Sequence, residues 1–339
     1  MYKNVIRPAL FTLSKADAER AHRYGLTMLK VMGTTPLQQL ISYTTKVHNP
    51  REVFGIHFPN PVGLAAGFDK HAEAIPGLAA LGFGFIEVGT VTPLPQPGNP
   101  RPRMFRLHED EAIINRMGFN NHGAVTMAAQ LAKQRKLGIP IGINIGKGKQ
   151  TPLEDAASDY KKAIETLYEG ADYLTINTSS PNTPDLRRLQ EKNKLEALLK
   201  DVQATIHECA NGKKPKPFLL KIAPDLTPAE VDDILEVSEN RIQGLIVHNT
   251  SIARPQDLRS RHQNETGGLS GRPLTDSARN LVAYVHQKLP RMPLIGVGGI
   301  FTSEDAERMF EAGASLIQLY TGFIYEGPAL PSRINRALL

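Results

Sequence analysis

Eight short apolar runs, each followed by glycine or polar residues, recur along the chain from about residue 53 onward. Their apolar character is continuous rather than alternating, as expected for parallel strands buried on both faces. Eight β-α units over roughly 280 residues favour an α/β fold, the (β/α)8 TIM barrel. A doubly wound open sheet, the alternative, usually has fewer strands and one dominant glycine-rich turn. The predicted strands are Val62–Ala66, Gly84–Val88, Ile139–Ile145, Tyr173–Ile176, Phe218–Ile222, Gly244–Val247, Leu294–Val297 and Leu316–Leu319.

The stretches between several of these runs have apolar residues at helical spacing. The chemistry of such a barrel takes place at the carboxyl ends of its strands, so the residues that follow each run are the candidate site. Three long connections at that rim, Thr92–Gly138, Ser179–Gly212 and Thr250–Arg291, are predicted to be lids and substrate loops. The predicted helices are His71–Leu81, Pro152–Glu169, Lys192–Cys209, Pro228–Glu239, Thr275–Lys288 and Ser303–Ala312.

Residues 1–45 are predicted to form a small N-terminal helical extension, a pair of helices, and residues 46–339 the catalytic barrel domain. Ser14 to Asp17 has the pattern of a capping box and Gly33 that of a helix end, so a helix is expected over residues 15–32. Pro36 then opens a second, shorter helix. The first helix has an apolar stripe, which either packs on the protein or lies on lipid. The stripe consists of Ala18, Ala21, Gly25, Met28, Leu29 and Met32.

The net charge of +6 is concentrated at the start of the chain. Residues 1–51 contain eight Lys or Arg and two Asp or Glu, so the remainder is neutral. This asymmetry suggests an anionic surface as partner, membrane lipid rather than nucleic acid, because no nucleic-acid-binding module is recognisable. A solvated helix face is the alternative. No window approaches the roughly 20 apolar residues that a membrane-spanning helix needs.

Cysteine and histidine content argues against a metal or a disulfide framework. Cys209 is the single cysteine of the chain, which excludes a disulfide, a cysteine-based zinc site and an iron–sulfur cluster. The histidines lack the paired spacing of metal ligands. We therefore expect no metal and a reducing compartment.

Glycine-rich segments follow the seventh and eighth runs. In many barrels backbone amides at these two positions hold a phosphate. Here the segments are Gly296-Val297-Gly298-Gly299 and Tyr320-Thr321-Gly322, and Gly267–Gly271 could close over them. Any one cluster could be an ordinary turn. Their joint placement predicts a phosphorylated ligand.

Asparagines and lysines supply the other candidate groups at the rim. Carboxamides offer donors and acceptors in one plane, which suits a heterocycle with imide and carboxylate edges, although a single Asn is more often a turn or cap residue. Lys221 ends a buried run and calls for an anionic partner, unless it snorkels to solvent. Lys70 could meet a substrate carboxylate or pair with Asp69 or Glu73. The asparagines are Asn115, Asn144, Asn177, Asn182 and Asn249.

Six motifs together resemble the dihydroorotate dehydrogenase family over almost the whole chain. The soluble class of that family has Cys where this sequence has Ser180, and the helical pair is typical of the membrane-associated, quinone-reducing class. His248 departs from the family pattern, which usually has Thr as a flavin contact. The motifs are Ala65-Ala66-Gly67-Phe68-Asp69-Lys70, Asn115-Arg116-Met117-Gly118-Phe119-Asn120, Asn177-Thr178-Ser179-Ser180-Pro181-Asn182-Thr183, Lys221-Ile222-Ala223-Pro224-Asp225-Leu226, Thr266-Gly267-Gly268-Leu269-Ser270-Gly271-Arg272-Pro273 and Gly296-Val297-Gly298-Gly299-Ile300.

The resemblance implies oxidation of (S)-dihydroorotate to orotate, the fourth step of pyrimidine synthesis, with FMN as hydride acceptor. Ser180 would remove the C5 proton while the C6 hydride leaves for the flavin, with Thr178 as a candidate to relay the proton. The implied FMN contacts are Ala66, Gly67, Lys70, Thr90, Asn144, Asn177, Lys221, Gly271, Gly299, Tyr320 and Thr321. The implied orotate contacts are Lys70, Asn115, Arg116, Met117, Gly118, Phe119, Asn177, Asn182, Asn249 and Thr250.

The same resemblance implies that a membrane quinone reoxidises the flavin, entering between the N-terminal helices near His22 and Arg106. The alternatives for these two residues are a helix-face histidine and a hairpin charge. The expected location is therefore peripheral, on the cytoplasmic face of a bacterial inner membrane. Two other functions remain open on the residues alone. One is a different phosphate-binding barrel enzyme, an isomerase or an aldolase that uses Lys221. The other is a membrane-surface binding protein with a vestigial barrel.

Overall fold

The computed structural model describes residues 2–13, 17–134 and 137–339. In that part of the chain, thirteen strands and twelve α-helices follow one another. The strands are β1 (Arg51–Val53), β2 (Ile56–Phe58), β3 (Val62–Leu64), β4 (Phe85–Val91), β5 (Met104–Leu107), β6 (Ala112–Asn115), β7 (Ile141–Ile145), β8 (Tyr173–Asn177), β9 (Phe218–Lys221), β10 (Gly244–Val247), β11 (Gly268–Gly271), β12 (Leu294–Val297) and β13 (Leu316–Leu319). The helices are α1 (Arg7–Leu13), α2 (Ala18–Gly33), α3 (Leu37–Thr45), α4 (Ile75–Ala80), α5 (Ala124–Lys133), α6 (Ala156–Leu167), α7 (Lys192–Ala210), α8 (Pro228–Ser238), α9 (Thr275–Lys288), α10 (Ser303–Glu311), α11 (Thr321–Glu326) and α12 (Leu330–Ala337).

The eight predicted runs form one closed parallel barrel, which confirms the predicted fold class. Its strands are β3, β4, β7, β8, β9, β10, β12 and β13, arranged around the barrel in chain order, with β13 paired back to β3. All are buried along their whole length. Burial on both faces explains why the runs are continuously apolar. The main shift in bounds is in β4, which continues three residues beyond its predicted end.

Large and small residues alternate inside the barrel. The rings of Phe85 and Tyr173 fill its interior, where both are fully buried. Neighbouring strands carry glycines at these levels: a Cβ on Gly63 would lie 2.3 Å from Phe85 Cζ, and one on Gly142 would lie 2.1 Å from Tyr173 Cζ. Phe58, from the β1–β2 hairpin, packs edge-on against Phe85, with 5.2 Å between the two ring centres. The barrel is therefore a packed core below its carboxyl-terminal rim.

The helices around the barrel largely match the predicted spans. Thr227 and Thr302 begin α8 and α10 with complete capping boxes. The predicted helix at His71–Leu81 was wrong at its start, because α4 begins at Ile75. The carboxylate of Asp69 accepts hydrogen bonds from the amides of Glu73 and Ala74, which holds the preceding residues in a turn.

The predicted loop Thr92–Gly138 is not only a loop. It contains the antiparallel hairpin β5–β6, which β11 extends to a three-stranded sheet, and it contains α5. Prolines and arginines interrupt the apolar pattern around β5, so periodicity did not reveal the hairpin, and α5 was not among the predicted helices. The sheet positions Asn115 and Ser270 on one cavity and Met104 and Ile113 on another.

The N-terminal segment is more helical than predicted. A π-helical turn, Tyr2–Ile6, and α1 precede the expected pair, α2 and α3. The amide of Arg20 donates to the Asp17 side chain at the start of α2. The predicted capping residues Ser14 to Ala16 lie outside the described residues. Across the described ranges the helices include none with the length and apolar character to cross a bilayer.

The predicted apolar stripe divides between protein and surface. Ala18 and Ala21 are buried, and Leu29 and Met32 pack against the barrel core. Met28, by contrast, is 59% exposed. Its exposed neighbours on α2 and α3 include Tyr24, Val31, Leu37, Leu40 and Tyr43. The packing interpretation therefore holds for Ala18, Ala21, Leu29 and Met32, whereas Met28 lies at the surface.

Candidate active site

One cavity, here called the rim cavity, opens at the carboxyl ends of the barrel strands. It is lined by residues at or just after the carboxyl ends of seven of the eight strands, together with residues of β6, β11 and the segment after β6. The structure therefore brings together segments that are far apart in the chain. The predicted residues that line it are Ala66, Gly67, Lys70, Thr90, Asn115, Met117, Gly118, Phe119, Asn177, Ser180, Asn182, Lys221, Asn249, Thr250, Gly271, Gly299, Tyr320 and Thr321.

Glycines form the side of the rim cavity that was predicted to bind phosphate. Gly299 has a φ of +66°, and a Cβ there would lie 2.3 Å from the Cα of Thr275. A Cβ on Gly322 would lie 1.9 Å from the carbonyl oxygen of Ile300. No side chain fits at either position, and both glycines line the rim cavity. The two glycine clusters thus meet at one place, unlike unrelated turn glycines.

An amide network forms the floor of the rim cavity. Asn144 Oδ1 accepts from Thr90 Oγ1 at 2.6 Å and from Asn177 Nδ2 at 2.9 Å. Asn249 Nδ2 donates to Ser179 Oγ at 2.9 Å. Asn144 itself is fully buried and does not line the cavity. It holds Thr90 and Asn177, which do.

A buried carboxylate lies beneath this floor. Glu87, on β4, is fully buried and accepts from Asn144 Nδ2 at 2.8 Å and from Gln318 Nε2 at 2.9 Å. The hydroxyls of Tyr173 and Thr175 donate to it at 3.2 Å. Glu87 was not among the predicted site residues, although an acidic residue within an apolar run was a usable signal.

Two lysines bring positive charge to the rim cavity. Burial lowers the pKa of Lys221, and the negative charge of Glu87 partly offsets this effect. Burial also lowers the pKa of Lys70 to about 8, and its ammonium donates to the Gly67 carbonyl oxygen. Neither lysine is a snorkelling surface residue. Glu73 instead pairs with Lys30.

Ser180 is 5% exposed and lines the same cavity. Its Oγ accepts a hydrogen bond from the amide of Asn182 at 3.3 Å. The hydroxyl of Thr178 is buried and has no hydrogen-bond partner among the described residues. The proposed relay through Thr178 therefore gains no support from a contact with Ser180.

Arg116 does not point into the rim cavity. Its Nη1 donates to Glu265 Oε2 at 2.8 Å, and its guanidinium lies 4.5 Å from the centre of the Phe105 ring. The side chain is thus engaged on the outer side of the β5–β6 hairpin. His248, in contrast, lines the cavity, and its buried Nε2 has no protein partner among the described residues.

A second, apolar cavity of about 690 Å³ lies between the N-terminal helices and the barrel. The two quinone-site candidates, His22 and Arg106, line it. His22 Nε2 is 2.9 Å from the Phe68 carbonyl oxygen, and burial lowers the pKa of His22 to about 4. The guanidinium carbon of Arg106 lies 4.0 Å from the centre of the Phe11 ring. Phe68 also packs on Tyr320, a residue of the rim cavity, so this aromatic pair separates the two cavities.

A closed parallel barrel whose strand ends share one glycine-rich cavity, lined also by asparagines and two lysines, places this chain in the class of (β/α)8-barrel enzymes. The family model for dihydroorotate dehydrogenase matches residues 50–339. The chain therefore belongs to the dihydroorotate dehydrogenase family, which makes it an oxidoreductase.

Relatives match over nearly the full length of the chain. A dihydroorotate dehydrogenase (quinone) from Chloroflexus aurantiacus is 51% identical, over 100% of this chain and 96% of the relative. One from Christiangramia forsetii is 50% identical, over 100% of this chain and 99% of the relative. A crystal structure of DHODH from Eimeria tenella in complex with ferulenol is 37% identical, with a TM-score of 0.86, over 98% of this chain and 94% of that one.

Proposed function

We propose that this chain oxidises (S)-dihydroorotate to orotate, the fourth step of pyrimidine synthesis, with FMN as hydride acceptor and a quinone as final electron acceptor. The observation that carries the proposal is that Ser180, Lys221 and the Gly298–Gly299 pair open onto one cavity. A proton acceptor, a cation and a phosphate-binding backbone are the groups that this reaction needs. Membership of the dihydroorotate dehydrogenase family supports the assignment.

The rim cavity has features that fit FMN. Side-chain-free backbone at Gly299 and Gly322 suits a phosphate, and the buried Lys221 suits a group that becomes anionic. When bound, FMN would supply the two-electron chemistry, taking hydride from the substrate and passing electrons to quinone. The proposed contacts are Ala66, Gly67, Lys70, Thr90, Asn177, Lys221, Gly271, Gly299, Tyr320 and Thr321, with Asn144 acting through Thr90 and Asn177.

Orotate and dihydroorotate would bind on the side of the rim cavity lined by asparagines. Lys70 would neutralise the substrate carboxylate, and its lowered pKa of about 8 reflects burial, which an anion would counteract. Ser180 would accept the C5 proton. The proposed contacts are Lys70, Asn115, Met117, Gly118, Phe119, Asn177, Asn182, Asn249 and Thr250. For Arg116 the proposal is limited to its backbone, because its side chain is engaged with Glu265.

The apolar cavity is the proposed quinone site, with His22 and Arg106 as its polar contacts. Apolar walls suit an isoprenoid molecule, and Phe68 lies where this cavity approaches the rim cavity. We propose the division at residue 45 on the same basis: residues 1–45 cover the quinone site, and residues 46–339 form the catalytic barrel. Electrons would pass from FMN in the rim cavity to quinone in the apolar cavity, near the Phe68–Tyr320 pair.

The exposed face of α2 and α3 is the proposed membrane contact. Tyr43 is 88% exposed and Leu40 is 64% exposed, and Arg20, Arg23 and Lys30 add positive charge on α2. Such a combination suits the surface of a bilayer that contains anionic lipids. We propose peripheral attachment on the cytoplasmic face of a bacterial inner membrane, where quinone is available.

The test separates the two half-reactions by stopped-flow absorbance. Anaerobic dihydroorotate should bleach the flavin of the wild-type protein, and quinone should restore it. Ser180→Ala should retain FMN, but dihydroorotate should reduce that FMN at least about 100-fold more slowly than in wild type, because general base catalysis is lost. A folded protein that binds no FMN on reconstitution, or whose flavin dihydroorotate does not reduce, would refute the proposal.

A second variant tests the apolar cavity. Ala21 is buried and lines that cavity, so Ala21→Phe should obstruct it. We expect normal flavin reduction by dihydroorotate and slow reoxidation by quinone. Equal loss of both half-reactions would count against the assignment of the quinone site.

A further inference from the structure

The side chain of Ser180 does not attach it to the rest of the barrel, and its turn is held through neighbouring residues, such as Ser179, which accepts a hydrogen bond from Asn249. Among the described residues the Ser180 hydroxyl has one hydrogen bond, from the amide of Asn182 two residues later. A bond within the turn cannot set the position of the turn relative to the substrate. That position matters, because a displacement of about 1 Å in a reacting group can lower a rate about 100-fold.

Arg187 joins the Ser180 turn to two neighbouring loops. It belongs to the 3-10 helix Leu186–Gln190. Its Nε donates to the carbonyl oxygen of Ser179 at 3.0 Å, and its Nη2 donates to that of Thr250 at 2.9 Å. Its Nη1 donates to Asp225 Oδ2 at 2.7 Å. These acceptors follow β8, β10 and β9, so one guanidinium connects three adjacent strand ends.

Asp225 anchors the other end of this connection. Its carboxylate accepts from the hydroxyl of Ser251 and from the amide of Ile252 at 2.9 Å. Burial would raise the pKa of Asp225, but hydrogen bonds from Ser251, Ile252 and Arg187 bring the pKa below its usual value. The pair is therefore ionic, and charge-assisted hydrogen bonds of this kind are stronger than neutral ones.

We propose that Arg187 and Asp225 are positioning residues. Together they form an ion pair, here called the clamp, that fixes the position of Ser180 relative to the substrate carbon C5, from which it takes the proton. This inference rests on the proposed function. The planar guanidinium donates in three directions at once, whereas a lysine ammonium lacks that fixed fork. Neither residue lines the rim cavity, so we expect variants of the clamp to retain FMN.

The test compares Arg187→Lys with Arg188→Lys in the full-length, FMN-loaded protein. Arg188 is the matched control: its side chain is 57% exposed and pairs with Asp185 and Glu191 on the surface. Asp225→Asn provides a second route to the same defect, should Arg187→Lys fold poorly. FMN content, the flavin reduction rate by dihydroorotate, its solvent deuterium isotope effect and orotate affinity are measured for each.

In Arg187→Lys and Asp225→Asn, dihydroorotate should reduce the flavin about 10- to 100-fold more slowly than in wild type, with a larger solvent deuterium isotope effect. FMN content should match wild type, and orotate affinity should change by less than about threefold. Arg188→Lys should behave as wild type. A wild-type reduction rate in Arg187→Lys and Asp225→Asn, an equal loss in Arg188→Lys, or a loss explained by missing FMN overturns the clamp. Wild-type flavin that dihydroorotate fails to reduce refutes the proposed function instead.

Discussion

Replacing Glu87 by glutamine tests whether a buried carboxylate organises the floor of the rim cavity. Four donors converge on this side chain: the amides of Asn144 and Gln318 and the hydroxyls of Tyr173 and Thr175. A carboxylate accepts all four. Glutamine has one acceptor oxygen, so its amide nitrogen must face either Asn144 or Gln318, and two donors then oppose each other.

The expected cost follows from these contacts. A hydrogen bond to a charged group contributes about 1.5–3 kcal/mol, and a buried donor left without an acceptor costs about 1–3 kcal/mol. Loss of the negative charge also leaves Lys221 with less compensation, because Glu87 is the charge that raises the pKa of Lys221. We expect Glu87→Gln to lower the free energy of unfolding by about 3 kcal/mol, since one such bond is lost and others can partly rearrange.

The assay is urea unfolding followed by circular dichroism, because the chain contains no Trp. Tyr173→Phe is the matched control: it removes one donor at 3.2 Å, keeps the ring and should cost about 1 kcal/mol. Adding Lys221→Met to Glu87→Gln should restore part of the loss, since the uncompensated charge is removed. Unfolding free energies of Glu87→Gln and wild type that agree within about 0.5 kcal/mol would refute this account of the floor.

Two further predictions concern other parts of the chain. Burial would raise the pKa of Glu19, but hydrogen bonds led by Arg103 lower it to about 2, so its stabilising contribution is present above the unfolded pKa near 4.5. That contribution should disappear as the pH falls from about 4.5 towards 2. Urea unfolding should show Glu19→Gln approaching wild type over this range, and a constant difference would contradict it. Gly63→Ala should destabilise by about 1–3 kcal/mol, because its Cβ would lie 2.3 Å from Phe85 Cζ. Gly25→Ala, in a helix with open space, should stabilise by up to about 1 kcal/mol in thermal unfolding, and equal effects of the two would refute the packing argument.

The barrel could be predicted from the sequence, whereas the elements around its mouth could not. Strands buried on both faces leave continuous apolar runs, and β10, β12 and β13 have the bounds predicted for them. The β5–β6 hairpin leaves no such trace, because Arg103 and Arg106 lie within or beside β5 and are buried through contacts made elsewhere. Arg103, for example, donates to Glu19 on α2. Local pattern cannot contain a partner that lies far away in the chain.

Most candidate residues lie on the predicted rim, but their individual tasks depended on the three-dimensional arrangement. Position at or after a strand end was enough to select Ser180 and Lys221, because strand ends share one end of a barrel. It could not distinguish Asn177, which lines the cavity, from Asn144, which supports Asn177 from below. It also could not reveal that the side chain of Arg116 points away.

The sequence alone determined the class of fold, the end of the barrel where chemistry can occur and the residue types available there, since these follow from local periodicity and chain order. Only the tertiary structure decided which groups meet: Glu87 beneath the asparagines, Arg187 across three loops, and Phe68 between two cavities. The physical reason is that strand and helix patterns arise from burial over short stretches, whereas hydrogen-bond partners and cavities arise from side chains that folding brings together from distant parts of the chain.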